Sequence, residues 1–356
     1  MSVFIDFHVL QTLPPSCVNR DDMGSPKTAV YGGVVRARVS SQAWKHAMRS
    51  EFKSLFSEEN LGSRTLYVVD MVEAELRNLN CGLSNDECHK RAVKALEDAG
   101  IKLKPDKKTG AEKSDALFFM SRKQAKAIAK LAAALDPKDK SAPKKMKEAI
   151  KENPSVDIAL FGRMAASDPT LNYDAAAQVA HAISTHAVQN EYDYFTAVDD
   201  LQAEDNAGAG HLGTVEFNSS TLYRYATVNA TELAKTLDAE NVAEAVRKFG
   251  QAFVLSMPTG KENTFANRTF PDMVYVTLRT DQPVNLCGAF ENPIKKSDNG
   301  YAVRSEARFL EYAEKVYSQF ASKPDEVWLN DLSSALSLPQ VLSELEKAVS
   351  DRINGV

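Results

Sequence analysis

Apolar and polar side chains alternate over residues 3–10, with Val3, Ile5, Phe7 and Val9 set against Phe4, Asp6, His8 and Leu10. That period of two predicts a strand buried on at least one face, and Pro14-Pro15 is expected to end it. Residues 16–27 are rich in Asn, Asp, Gly and Pro, which predicts an irregular loop carrying Arg20 and Lys27. A short strand over 34–39 follows, with Arg36 and Arg38 on one face. Ser40 or Ser41 then caps a helix whose apolar positions include Ala43, Ala47 and Met48. Gln42, Lys45 and Arg49 fall at i, i+3 and i+7 of that helix, so they share a face beside the free N–H groups of its first turn. A helix N-terminus flanked by Lys and Arg is a seat for phosphate, while the same pattern also suits an ordinary solvated face.

The period changes beyond residue 60. Helices are predicted over 66–79, 84–99, 121–135 and 144–150, the second capped by Ser84 with Glu87 in the capping-box position, and lysine-rich Pro/Gly loops separate them. Residues 155–161, ending in VDIALF, read as an apolar strand stopped by Gly162. Met164 then lies in a loop before a helix predicted over 173–188. Strands over 191–198 and 214–217 enclose the acidic, Gly-rich stretch 199–213, a long hairpin arm that needs a partner surface. A helix at 242–257, a strand at 273–280 and helices at 305–322 and 338–353 complete the chain. The order of strand, helix, insertion, strand, helix, hairpin, helix and strand suits an α+β fold with a βαββαβ ferredoxin-like core.

Composition changes this picture only locally. Hydrophobic residues make up 44% and charged residues 26%, as in a soluble globular protein, and the formal net charge of −5 excludes a generally basic nucleic-acid binder. The average hides two blocks: residues 101–151 hold 15 Lys or Arg against 6 Asp or Glu, and residues 191–216 hold 7 acids and no Lys or Arg. Opposite blocks suit a basic surface for a polyanion and an acidic arm for a basic partner. The four cysteines show no CxxC spacing, which points away from a metal site and, with no secretion signal or membrane-length apolar run, to the reducing cytoplasm.

Several stretches match one family. FIDFHVLQTLPPSCVNRDDMGSPKTAVYGGVVRARVSSQAWKHAMR, the run Phe161-Gly162-Arg163-Met164, QVAHAISTHAVQNEYDYFTAVDDLQAEDNAGAGHLGTVEFNSSTLYRY, and residues 257–269 together resemble the CasC-type backbone subunit of the type I-E CRISPR surveillance complex, Cascade, of the RAMP superfamily. The resemblance implies a ferredoxin-like, RNA-recognition-like palm (residues 1–59, 155–190 and 223–356), a helical fingers insertion (60–154) and a β-hairpin thumb (191–222). It implies a non-enzymatic bacterial antiviral ribonucleoprotein without cofactor. Copies would polymerise head to tail along a CRISPR RNA, beside other Cascade subunits, and present the guide for pairing with target DNA. Met164 would be a wedge at a kinked guide base, with Leu212 of the thumb opposite it.

Arg20, Lys27, Arg38, Ser40, Gln42, Lys45 and Arg49 are therefore candidate contacts to the RNA backbone, joined by Gly260-Lys261. That pair is no Walker A site, because Leu255 stands where the first glycine is required and a helix precedes it. Lys104, Lys107, Lys108 and Lys113 of the basic insertion are the candidate DNA contacts. Tyr223-Arg224-Tyr225 suits either a base-stacking platform or packing between sheet and helix. His181 and His186, five apart, miss the i, i+4 spacing of a zinc helix and read as satisfied helix or core histidines. The rival functions are an RNA endonuclease, using Asp21-Asp22 with His8 or His46, and a single-stranded RNA binder that does not assemble.

Overall fold

The computed structural model describes residues 2–136, 139–197 and 211–355. In chain order the elements begin with strand β1 (Phe4–Ser16), the hairpin β2 (Thr28–Tyr31) and β3 (Val34–Val39), and helix α1 (Ser41–Leu55). Next come β4 (Gly62–Thr65), α2 (Val68–Asn78), α3 (Asn85–Asp98), β5 (Leu103–Pro105), β6 (Glu112–Ser114), β7 (Phe118–Ser121), α4 (Arg122–Ala134), α5 (Ala142–Lys151) and α6 (Val156–Phe161). The remainder is β8 (Ala177–Val179), β9 (Ala182–Ser184), β10 (Glu191–Ala197), β11 (His211–Asn229), α7 (Ala230–Leu233), α8 (Ala239–Leu255), α9 (Glu262–Phe265), β12 (Met273–Arg279), α10 (Ala302–Gln319), β13 (Glu326–Asp331) and α11 (Leu338–Asn354).

These elements form two compact units, residues 1–48, 179–227 and 249–352 in the first, and 49–178, 228–248 and 353–356 in the second. The division between the units falls within α1, after Met48. In the first unit the strands run in the order β13-β12-β1-β11-β9-β3-β2, with β10 hairpinned onto β11. The strands β12-β1-β11-β9, with α1 leading to β9 and α8 leading to β12, reproduce the βαββαβ order of a ferredoxin-like sheet. Strand β1 is central, and Ile5, Phe7 and Val9 on one face and Asp6, His8 and Leu10 on the other are all buried. It also runs through Pro14-Pro15 to Ser16 and does not stop there. Phe7 packs its ring 5.8 Å from Phe249, and a second cluster of Leu10, Tyr223, Tyr225, Tyr275, Phe290 and Phe309 fills the other side.

The second unit is a helical bundle whose core comes from Val69, Val72 and Leu76 of α2, Ala92 and Leu96 of α3, Ile128 of α4 and Ile150 of α5. Ser84 and Ser121 each make a full capping box, with Glu87 and Gln124, so these two helix starts are fixed by local chemistry.

Two expected elements are corrected. Residues 155–161 form helix α6, because a six-residue apolar run carries no decisive period, and Asp157 within it is buried with its carboxylate held by Ser155 Oγ at 2.6 Å and the Gly62 amide at 2.9 Å. The helix expected over 173–188 is instead β8 and β9, since pairing of Ala182–Ser184 between β11 and β3 overrides the helix propensity of its alanines. The 214–217 strand is far longer, as β11, and β13 went unpredicted.

Candidate nucleic-acid interface

Residues 17–27 are an ordered loop fastened at both ends. The Asp21 carboxylate accepts the amides of Met23 and Ser25 at 2.9 and 3.0 Å, and Arg20 bridges to Pro26. The Lys27 amide donates to the Asn19 carbonyl at 2.8 Å, and the Asn19 side chain accepts the Ser40 amide at 2.9 Å, tying the loop to the start of α1. Arg20 is thereby left exposed and Lys27 half-buried at the mouth of the hairpin.

Arg38 stands next to them. Its Nε donates to the Thr28 carbonyl at 3.1 Å, and its Nη1 lies 3.4 Å from His181 Nδ1. His181 is an exposed neighbour of Arg38, a correction to its reading as a helix or core residue. The pairing of Arg38 with Ile183 across β3 and β9 puts it there, a register the sequence did not reveal. His186 is buried as expected, its Nε2 accepting the Thr221 amide and its ring stacked 3.6 Å from Tyr301.

Gly260 explains how Lys261 joins this surface. A Cβ there would stand 2.3 Å from the Val18 carbonyl oxygen, so only glycine lets the 258–261 segment lie against the loop. Burial pushes the Cys17 thiol up, the charges of Arg20 and Lys261 pull it back, and those of Glu216 and Asp21 push it up again. The cleft under the loop, lined by Asn19, Lys27, Arg38 and Asn218, holds about 10 Å³, room for about one water molecule. That volume is too small to enclose a ligand. Arg20, Lys27, Arg38, His181 and Lys261 suit an extended polyanion better than a small molecule.

The other candidates on α1 divide. Ser40 is buried, and its hydroxyl caps the helix by accepting the Ala43 amide at 3.3 Å. Gln42 is exposed and Lys45 half-buried. Arg49, expected on the phosphate face, is committed within the helical unit: its guanidinium donates to Asp157 and the Gly62 carbonyl, both at 3.2 Å, and covers the Phe119 ring at 4.4 Å. Arg36 is likewise no surface cation. It is fully buried and donates to the carbonyls of Tyr31, Ser184 and Phe290.

Tyr223, Arg224 and Tyr225 are buried, and packing is their role. Tyr223 Oη meets His8 Nδ1 at 2.8 Å, Tyr225 Oη donates to Asp6 at 2.9 Å, and Arg224 stacks 3.7 Å over Trp44 while donating to Gln11 and the Phe253 carbonyl. Burial drives His8 down to about 3, so the ring is neutral and enclosed, unsuited to acid–base work on RNA. Among the described residues, no group of three or more His, Cys, Asp or Glu is placed to hold a metal ion. No described helix is long and apolar enough to cross a membrane.

In the helical unit Met164 is 81% exposed at a locked position. Before it, Arg163 is buried and donates to the carbonyls of Leu171, Phe119 and Ile150. After it, the Ala165 amide donates to Asn172 at 2.7 Å. Lys104 and Lys113 are paired with Asp115 and Asp106, whereas Lys107 and Lys108 are exposed in the turn of the β5–β6 hairpin. The β10–β11 arm presents Tyr192 and Tyr194, 68% and 64% exposed, while residues 198–210 and the side chain of Leu212 lie outside the described part.

Sheet order and flanking helices define a ferredoxin-like α+β protein of the RAMP type. The chain belongs to the Cas family of CT1975-like proteins, whose profile matches residues 5–353. It is similar to a chain of a CRISPR RNA-guided surveillance complex in a pre-nicking state, with 32% identity and a TM-score of 0.79 over 97% of this chain and 100% of that one. A chain of another CRISPR RNA-guided surveillance complex matches at 28% identity and a TM-score of 0.72, covering 98% of this chain and 99% of that one. No protein of curated function matches its sequence.

Proposed function

We propose that this chain is the guide-RNA-binding backbone subunit of a type I-E CRISPR surveillance complex in the bacterial cytoplasm. Copies polymerise head to tail along the CRISPR RNA beside other Cascade subunits and hold the guide for pairing with target DNA. The observation that carries the reading is the full-length likeness, 32% identical over 97% of the chain, to a subunit of an RNA-guided surveillance complex. The surface of Arg20, Lys27, Arg38 and Lys261 gives that role a physical basis, since contacts to phosphates fix position while base pairing carries the sequence. An open head-to-tail assembly needs two different complementary faces on each copy, which a basic body and an acidic arm supply. Lys107 and Lys108 are the insertion lysines best placed to meet DNA.

We propose no nuclease activity of its own, because His8 is enclosed and one oxygen of the Asp21 carboxylate, Oδ1, is engaged by two backbone amides in the loop's turn. Sizing the purified protein with single-stranded RNA of increasing length tests the reading. A ladder of RNA-dependent oligomers is expected, whereas a one-to-one complex at every length, or cleavage of the RNA, contradicts it.

A further inference from the structure

His181 immediately precedes β9 and is exposed, and its Nδ1 is 3.3 Å from the Ser41 backbone nitrogen and 3.4 Å from Arg38 Nη1. Both neighbours are N–H donors with no lone pair to offer, so Nδ1 is the acceptor and the ring proton sits on Nε2. Ser41 is the first residue of α1, and its amide is one of the groups a helix leaves unsatisfied at its start. Ser40 Oγ serves the Ala43 amide, which leaves that of Ser41 to the imidazole. A neutral lone pair thus occupies the spot where the helix start and Arg38 together favour an anionic oxygen.

We propose that His181 is a proton-coupled placeholder for a guide-RNA phosphate. A phosphate oxygen takes over the Ser41 amide and Arg38, and the displaced imidazole takes a proton from solvent and pairs with that same phosphate. The inference rests on the reading of this surface as the RNA seat. The charged groups around the ring are Arg38 from β3 and Lys27 from the loop before β2, while α1 contributes the uncharged Ser41 and Gln42 at this end. Burial and those two cations hold the imidazole below its ordinary value in the RNA-free chain. Phosphate neutralises the same cations and adds an opposite charge, so the bound state holds the proton more tightly.

Affinity for RNA therefore rises as pH falls through the range between the free and bound values, one proton entering per occupied site. The test is the affinity of the full chain for a fluorescently labelled single-stranded RNA at pH 7.5, 6.5 and 5.5 and constant ionic strength. The wild type, His181→Asn, Lys27→Ala and Arg38→Ala are compared. Asn keeps an acceptor for the Ser41 amide and cannot titrate. Wild type is expected to bind about tenfold more tightly at pH 5.5 than at 7.5, with His181→Asn flat across the range. Binding that weakens in Lys27→Ala and Arg38→Ala, but keeps the same pH slope in His181→Asn as in wild type, overturns the placeholder and leaves the RNA seat standing. Binding indifferent to Lys27 and Arg38 removes the seat itself and the placeholder with it. Imidazole nitrogen resonances of the wild type supply a readout independent of any variant. The expected tautomer carries its proton on Nε2 without RNA and titrates at higher pH with it; a proton on Nδ1 in the free chain contradicts the proposal.

Discussion

Replacing Arg224 with methionine separates the two roles that Tyr223-Arg224-Tyr225 invites. The guanidinium is buried, donates to Gln11 Oε1 at 2.6 Å and to the Phe253 carbonyl, and lies 3.7 Å over the Trp44 ring. Methionine fills much of the space but leaves two buried acceptors without donors. Gln11 cannot turn away, because its own amide group is held by the Thr269 carbonyl at 2.8 Å. Each stranded acceptor costs about 1–3 kcal/mol, and the lost cation–π contact adds about 1–2 kcal/mol. Against this, burial alone has pulled Arg224 down to about 9, so removing the charge recovers part of a desolvation cost. Net destabilisation of about 2–4 kcal/mol results, equivalent to roughly 6–12 °C in Tm for a unit of this size. Thermal and urea unfolding give the stability, and RNA binding at a temperature where the variant stays folded gives the affinity. Unchanged affinity with lowered Tm is expected; a normal Tm with weakened binding would refute the core assignment and restore the stacking platform.

Substituting Lys27 and Arg38 by alanine should weaken binding equally for all RNA sequences and lower the salt slope by about 0.7 per lost contact, whereas Arg49→Ala should lower stability and leave the slope unchanged. A slope that falls only with Arg49 would reverse that assignment. Gly260→Ala drives a methyl into the Val18 carbonyl and should reduce both stability and RNA affinity by displacing Lys261, a loss visible in the same titration. Asp6 and His8 oppose each other in acid. Folded Asp6 is raised to about 6, so its contribution is present below about pH 4 and lost as pH climbs to 6. Folded His8 is lowered to about 3, so its contribution is present above about pH 6.5 and lost as pH falls. Between about pH 4 and 6 the two nearly cancel. Asp6→Asn should expose the His8 limb as a loss of about 3 kcal/mol, relative to wild type, between pH 6.5 and 4 in urea unfolding; parallel pH curves for the two proteins would contradict it.

Features written in local chemistry were legible before the structure. Ser84 with Glu87 announced α3, the alternation at 3–10 announced β1, and the turn residues of 16–27 announced the loop that carries Arg20 and Lys27. What depended on distant pairing was not. Residues 173–188 have the alanines of a helix, yet Ala182–Ser184 are claimed by neighbouring strands, and only that register brings His181 to Arg38. Charge was equally blind to burial: Arg36 and Arg38 share a face of one strand, but carbonyls of residues 184 and 290 enclose Arg36, whereas Arg38 is only half-buried. The same holds for Arg49, whose partner Asp157 lies more than 100 residues along the chain.

Photo-crosslinking of single-stranded RNA to the full chain, with the attached residues mapped by mass spectrometry, tests the central claim most directly. Adducts are expected at the loop of Arg20 and Lys27, at Arg38 through Gln42, at His181 and at Lys261. Adducts that spare all four and concentrate on other surfaces would contradict the placement of the guide RNA on this face of the sheet unit.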